Sequence, residues 1–165
     1  MSKPSLKVTE DFTEDFNKII KSFKNDNVLV GIPASDSERE VDDSQITNAA
    51  LLAINEFGSP ANNIPARPVM EIGIKNARDE IAEQYKKAMQ NALKKGLAAI
   101  STFYNRAGLI ASNSIKKAIN SQEDIAPPAE STIAARQAAG FKGTKSLIVT
   151  GQMRNAITYV VKGEE

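Results

Sequence analysis

Hydrophobic residues near the amino end recur at the three- and four-residue spacing of an amphipathic helix. The pattern predicts a helix from Thr9, which is placed as its cap, to about Lys24. Its apolar face docks either on the protein's own core or on a partner. The residues of that face are Phe12, Phe16, Ile19, Ile20 and Phe23.

Two short runs of branched residues predict β-strands. The first runs from Val28 to Pro33, and the second is Thr158–Val161. The stretch after the first strand, 34–43, carries five carboxylates but lacks the glycine and the ligand spacing of a calcium-binding loop. We interpret it as a solvated acidic loop.

The middle of the chain alternates between a helix and a proline-rich connector. Apolar spacing predicts a helix over Ile46–Phe57, with Ser44 as a candidate cap and Gly58 at its end. Three prolines in 59–68 exclude a helix there and predict a stiff, exposed connector. The stretch 69–74 fits either a second short strand or the start of the next helix.

Two long helical patterns follow and are separated near Gly96, which is either a break or a kink in one long rod. The apolar stripe of the first is Ile74, Ala77, Ile81, Tyr85, Ala88 and Ala92. The stripe of the second is Ile100, Phe103, Ala107, Ile110, Ser114, Ile115 and Ala118.

The last third is more irregular. A loop over 121–131 precedes a small-residue helix, Thr132–Ala139, and a flexible basic turn, and Thr150 is placed to cap a short helix that runs through Ile157. The whole predicts one α+β domain over 1–165, in which a small, mostly antiparallel sheet is flanked by two long helices and an amino-terminal helix. The long loops 34–45, 58–68 and 121–147 are expected to be arms or interface segments.

Composition narrows the chemistry that this domain can perform. Its 165 residues include neither His nor Cys, which excludes imidazole and thiolate catalysis, disulfides and most zinc sites. We therefore expect no enzyme activity and no cofactor. The net charge of +1 gives no global attraction to nucleic acid. Because no stretch approaches the about 18 apolar residues of a membrane span, and none resembles a signal peptide, we expect a cytosolic origin.

Local charge clusters have plain explanations. The segment 140–146 resembles a phosphate-binding loop, but its glycines are too close together. Glu80 and Glu83 lie beside Lys86 and Lys87, which predicts surface ion pairs. The best basic clusters are Lys94, Lys95, Lys116 and Lys117, and their facing DNA in a channel wall is an alternative that we keep open.

Two segments carry a resemblance to a known family. The first contains Glu56-Phe57-Gly58-Ser59 and Ile64-Pro65-Ala66-Arg67-Pro68. The second contains Ala126–Arg136 and Lys145–Ile157, with the run Leu147-Ile148-Val149-Thr150-Gly151. In this order they resemble the signature segments of tailed-phage virion morphogenesis proteins of the neck and tail-completion group. Val69 and Ser146 depart from that signature, which usually has an aromatic residue and a proline there.

The resemblance implies an α+β structural subunit at the head-tail junction or the top of the tail. Such a subunit is made in the host cytoplasm and joins a six- or twelve-fold ring of its own copies. The implied partners are connector or stopper proteins and tail-terminator or tail-tube proteins, with no membrane contact. The residues expected at interfaces, or holding loops in place, are Glu56, Phe57, Gly58, Arg67, Pro68, Arg136, Thr150, Gly151 and Arg154.

Two hypotheses from other classes remain at this point. A nucleic-acid-binding module would use the lysine pairs and bind DNA more weakly as salt rises. A carboxylate-based hydrolase would need two acidic residues facing each other in a pocket.

Overall fold

A computed structural model of the chain describes residues 13–25, 27–38, 46–96 and 98–162. Within those residues the protein forms six α-helices and a two-stranded antiparallel sheet, which confirms the predicted α+β class with a small sheet. The elements are α1 (Thr13–Asn25), β1 (Asn27–Gly31), α2 (Asn48–Phe57), α3 (Val69–Lys95), α4 (Ala98–Ser121), α5 (Glu130–Ala138), α6 (Gln152–Ala156) and β2 (Thr158–Lys162).

The two long helices are separate elements that pack on each other. α3 ends at Lys95, and Gly96 follows with φ +77° while its N–H donates to Ala92 O at 2.9 Å. Gly96 is therefore a helix end, and the alternative of one kinked rod is wrong. α3 begins at Val69, so the alternative of a strand over 69–74 is also wrong. No helix in the described ranges is long and apolar enough to cross a membrane.

Glycines in both long helices allow unusually close approaches. A Cβ added to Gly73 of α3 would lie 2.5 Å from Ile115 Cα of α4. A Cβ added to Gly108 of α4 would lie 2.2 Å from the ring of Tyr159 in β2. α4 thus contacts α3 on one side and the sheet on the other at positions where a larger residue would push them apart.

Two apolar clusters form the core. The first joins α1, α3 and α4 and comprises Ile19, Ala88, Ala92, Ile100, Phe103, Tyr104 and Ala107. The second joins α2, α4, α6 and the starts of α3 and of the loop after α4, and comprises Leu52, Val69, Ile115, Ile119, Ile125, Met153 and Ile157.

The sheet spans both clusters. Val28 pairs with Val161 and Val30 with Tyr159, and this inward face packs on α4. Leu29 pairs with Val160 on the opposite face, where both are exposed. The alternation follows from the two-residue period of a strand.

The amino-terminal helix docks on the protein's own core. Ile19 is buried, and the Phe23 ring meets Tyr85 edge-on with centroids 4.9 Å apart. Phe16 is half exposed. The docking alternative is thus confirmed for the inner part of the stripe, while Phe12 and the predicted cap Thr9 lie outside the described residues.

Several local predictions need correction. The cap of α2 is Thr47, whose hydroxyl accepts from Ala50 N–H at 3.2 Å, and Ser44 lies outside the described residues.

The apolar stripes of the two long helices also differ from the prediction. Ile74 and Tyr85 of the predicted α3 stripe are 41% and 45% exposed. In α4 the buried face also includes residues that the stripe omitted, because a straight α-helix repeats every 3.6 residues and its buried face broadens over many turns. These are Tyr104, Ala111, Ser112 and Ile119.

The predicted 121–147 segment is anchored at both ends and mostly exposed between them. Ile125 and Ser146 are buried, whereas most of α5 is exposed. In the predicted 34–45 loop the structure describes residues up to 38, which include a short 3-10 turn, Ala34–Asp36.

We predict that Gly73→Ala destabilises the protein by about 1–3 kcal/mol, because the new methyl group meets the backbone of α4. Helix propensity alone would have the opposite effect, a gain of about 1 kcal/mol. Ala82→Gly, at an exposed site of α3, is the matched control and should cost about 1 kcal/mol through propensity. Urea unfolding measures both, and an unchanged or higher stability of Gly73→Ala would contradict the close packing.

Candidate functional site

The first signature segment is organised by the carboxylate of Glu56, in the last turn of α2. Its Oε2 accepts from Met70 N–H at 2.9 Å and its Oε1 from Glu71 N–H at 3.0 Å. The capping position of α3 is Pro68, which has no side-chain acceptor. Glu56 therefore supplies the negative charge and the acceptors that the first turn of α3 needs, and it fixes α2 against α3.

Gly58 makes the turn between these helices possible. Its backbone has φ +73° and ψ 176°, a region that is almost restricted to glycine. A Cβ there would lie 2.8 Å from Ala66 N. The turn is closed by two bonds, Ser59 N–H to Ile64 O at 2.9 Å and Ile64 N–H to Ser59 O at 3.0 Å.

Arg67 joins the two signature segments. Only 9% of this residue is exposed, so the prediction of an exposed connector over 59–68 is wrong at this position. Its Nε donates to Ala126 O at 2.8 Å and its Nη2 to Pro127 O at 3.1 Å, while Nη1 donates to Pro65 O at 3.4 Å. The guanidinium thus ties the proline connector to the loop after α4 through neutral carbonyl groups.

Among the described residues, no carboxylate neutralises the charge of Arg67. Burial, and next the nearby charge of Arg136, lower the pKa of Arg67. In the described ranges the ion pairs are Lys18–Asp15 and Lys87–Glu83, so neither Arg67 nor Arg136 has a carboxylate partner there.

The second signature segment is held by main-chain acceptors and amides. Arg136 Nη1 donates to Lys145 O at 2.8 Å. Arg154 Nη1 donates to Asn120 Oδ1 at 2.8 Å, and its Nη2 donates to Asn155 Oδ1 at 3.0 Å. Arg136 therefore holds the loop that follows α5, whereas Arg154 joins α6 to the end of α4.

Gly151, not Thr150, occupies the capping position of α6, where it has φ +82°. The predicted cap, Thr150, lies one residue earlier, and its hydroxyl accepts a long bond of 3.4 Å from Gln152 N–H. The prediction of a Thr150 cap is therefore wrong, although the short helix is present.

Sequence reasoning missed Gln122 and Ser146. Ser146 is 1% exposed, its N–H donates to Gln122 Oε1 at 2.6 Å, and its hydroxyl donates to Ala126 O at 2.7 Å. Gln122 Nε2 donates back to Ser146 O at 3.1 Å. The signature usually has proline at position 146, and proline has no N–H to donate to Gln122. The serine found there was therefore the one sequence feature that could have indicated this link.

These anchors surround an open groove of about 620 Å³ between α2, the 63–67 turn, the start of α5 and the 146–153 segment. We call it the arginine groove. Most of its wall is apolar, and both Arg67 and Arg136 line it. The apolar wall includes Leu51, Ile54, Ile64, Val149 and Met153.

Phe57 differs from its neighbours in the signature. It is 81% exposed, although the residues on either side, Glu56 and Gly58, are held by the contacts above. It borders a shallow recess formed by the 58–66 turn, which includes Pro60 and Pro65. Pro68 is half buried at the start of α3.

Lys94 is not brought together with Lys116 and Lys117. Ile115 lies against Gly73, which places Lys116 and Lys117 near the start of α3. Lys94 is 21 residues along α3 from Gly73, which corresponds to roughly 30 Å at 1.5 Å per residue. Lys94, Lys116 and Lys117 therefore do not form one basic patch.

The acidic residues of α3 lie on solvated surface. Lys87 Nζ is 2.7 Å from Glu83 Oε1, and this bond lowers the pKa of Glu83, as expected for a surface ion pair. Glu80 and Glu123 line one polar groove between α3 and α4, but both are exposed and Lys117 lies in the same wall. The described ranges contain no group of three or more acidic residues placed to hold a metal ion.

No protein-family model matches the chain, and comparisons with curated proteins and with solved structures give no match either. The resemblance to phage morphogenesis proteins thus rests on the two signature segments.

We predict that Gly58→Ala destabilises the protein more than Gly96→Ala does. The two glycines have nearly the same backbone angles, but a Cβ at Gly96 meets nothing within 4 Å. Gly96→Ala should cost the conformational penalty alone, about 1–3 kcal/mol, and Gly58→Ala that penalty plus the clash with the 64–66 backbone. Equal losses in urea unfolding would show that the turn is not tightly closed.

We also predict that Glu56→Ala lowers stability by about 1–2 kcal/mol, because two N–H groups of α3 lose their acceptor. Glu56→Gln keeps one oxygen acceptor and should lose about half as much. Glu71→Gln, an exposed residue in the same helical turn, is the control and should change stability by less than about 0.5 kcal/mol. Thermal unfolding distinguishes these variants, and a loss for Glu71→Gln as large as that for Glu56→Ala would argue against the cap.

Proposed function

We propose that this protein is a structural virion subunit of a tailed phage that forms a ring at the head-tail junction or tail top. Its proposed partners are copies of itself, connector or stopper proteins on the head side, and tail-terminator or tail-tube proteins on the tail side. In this proposal the chain has no catalytic role.

The observation that carries the proposal is the contrast between Phe57 and the rest of its signature segment. Glu56, Gly58 and Arg67 are all used internally, to cap a helix, close a turn and link two loops. These contacts leave the Phe57 side chain exposed on a turn that is held at both ends. Aromatic residues, Phe included, are enriched at protein–protein interfaces relative to the rest of the surface.

The anchoring contacts also make physical sense for an assembly subunit. A ring subunit presents one surface to a different surface on the next copy, so the relative placement of those surfaces must be constant. Glu56 and Arg67 supply that constancy, because they connect α2, α3 and the loop after α4. The separation of Lys94 from Lys116 and Lys117 gives the DNA-binding alternative no comparable support.

We predict that Phe57→Ser abolishes or strongly reduces incorporation into particles without lowering the stability of the isolated protein. Incorporation is measured by light scattering and electron microscopy of the purified chain with purified phage heads and tails. The free energy of unfolding should change by less than about 0.5 kcal/mol, because the Phe57 side chain is already mostly exposed in the folded protein.

Leu93→Ser is the matched control, since Leu93 is also an exposed apolar residue, on α3 and away from the signature segments. It should join particles as the unsubstituted protein does. A Phe57→Ser protein that assembles normally would remove the main support for the proposal, and an unsubstituted protein that never joins heads or tails would refute it.

A further inference from the structure

The arginine groove contains more positive charge and more hydrogen-bond donors than the chain itself uses. Of the five N–H groups of a guanidinium, Arg67 donates three and Arg136 donates one to carbonyl oxygens in the described part of the protein. Burial, and next the like charge of Arg136, disfavour the Arg67 cation and lower the pKa of Arg67. A carboxylate in the groove would relieve both costs and accept the remaining donors.

The apolar wall adds a second requirement. Leu51, Ile54 and Val149 line the groove beside the two arginines, and Val149 is exposed. The complementary ligand is therefore an extended peptide that carries several carboxylates around an apolar side chain. A free anion would satisfy the arginines but would leave this wall in water.

This chain contains a segment of that chemistry. Residues 36–43, which we call the acidic segment, have the sequence Asp-Ser-Glu-Arg-Glu-Val-Asp-Asp. Five carboxylates and one arginine give it a net charge of −5 + 1 = −4, with Val41 among them. Asp36 and Glu38 are exposed, and neither forms an ion pair with the described residues.

The start of the acidic segment is held away from the arginines of its own chain. Asn48 N–H donates to Ser37 O at 2.8 Å, and Asn48 Nδ2 donates to Glu38 O at 3.0 Å. These bonds fix it at the amino end of α2, whereas Arg67 N–H donates to Asn55 O, seven residues further along the helix. At 1.5 Å per residue the two points are about 10 Å apart along α2.

We propose that the arginine groove of one subunit receives the acidic segment of a second copy, with Arg67 and Arg136 facing its carboxylates. The contact joins two different surfaces of the same molecule, which is the head-to-tail arrangement that forms a ring when the rotation between neighbouring copies closes. This inference rests on the proposed function and names the contact between neighbouring subunits.

Disulfide capture tests the contact directly, because the chain contains no cysteine of its own. Glu38→Cys and Thr132→Cys, the latter in the wall of the groove, are made in separate full-length chains and mixed under oxidising conditions with purified tails. We expect a covalent dimer that contains one chain of each kind. The control pairs Glu38→Cys with Ser101→Cys, an exposed site on α4, and should give little dimer.

Absence of dimer above this control would overturn the inference. So would a chain carrying both Glu38→Cys and Thr132→Cys that forms only an internal disulfide, since the groove would then bind its own acidic segment. Either result leaves the proposed function standing if the unsubstituted chain still joins tails. An unsubstituted chain that does not join tails would instead refute the proposed function.

A charge exchange tests the chemistry of the contact. Arg136→Glu should weaken subunit association at least about tenfold at low salt, and Asp36→Lys with Glu38→Lys should do the same. Combining all three changes in one chain should raise association at least about threefold above that of either reversal alone, because the carboxylate introduced at 136 then faces the introduced lysines. Sedimentation and incorporation into tails measure association, and circular dichroism verifies folding.

Lys142→Glu is the matched control for this exchange, since it reverses the charge of an exposed residue in the same part of the chain but outside the groove. Arg136→Glu that behaves like Lys142→Glu would overturn the inference. The same holds if the combined chain is folded but associates as poorly as the single reversals.

Discussion

The close approach of α4 to its neighbours is the constraint on which the rest of the structure depends. α4 contacts α3 where Gly73 faces Ile115, and it contacts the sheet where Gly108 faces Tyr159. Because Gly73 and Gly108 have no side chains, α4 can lie in direct contact with both α3 and the sheet. Both apolar clusters include residues of α4, so this helix connects the two parts of the core. The loops that bear the signature segments begin from the ends of these packed elements.

The two signature segments become one unit in three dimensions. Glu56 and Gly58 determine how the chain passes from α2 to α3, and Arg67 then reaches the carbonyl groups of Ala126 and Pro127. A hydrogen bond from a charged donor to a carbonyl is stronger than a neutral one, and a buried guanidinium needs such bonds. The contribution of these hydrogen bonds to stability is sufficient to explain why Glu56 and Arg67 are polar. Phe57 receives no such explanation, because 81% of it is exposed.

Periodicity predicted the helices and both strands because their patterns are local. The pairing of Val28 with Val161 joins the two ends of the chain, and no local pattern encodes it. Broad features of the site were also readable, since Glu56, Arg67 and Arg136 were identified as anchoring or interface residues. Their partners were not, because Arg67 binds carbonyl groups about 60 residues away that carry no side-chain signal. The link between Gln122 and Ser146 was missed for the same reason, as its acceptors and donors are partly main-chain atoms.

The distribution of charge follows from this division between internal and external roles. Arg154 meets amide oxygens within the chain, and Glu83 meets Lys87 on solvated surface. Arg67 and Arg136 instead share one apolar groove in which no carboxylate of the described residues pairs with them, an arrangement that costs free energy. Replacing either by a neutral residue would remove that cost but would also remove the hydrogen bonds to the loops. The same guanidinium groups can therefore hold the loops within a subunit and provide the charge that a neighbour's carboxylates would compensate, so internal anchoring and external recognition are coupled at the same atoms.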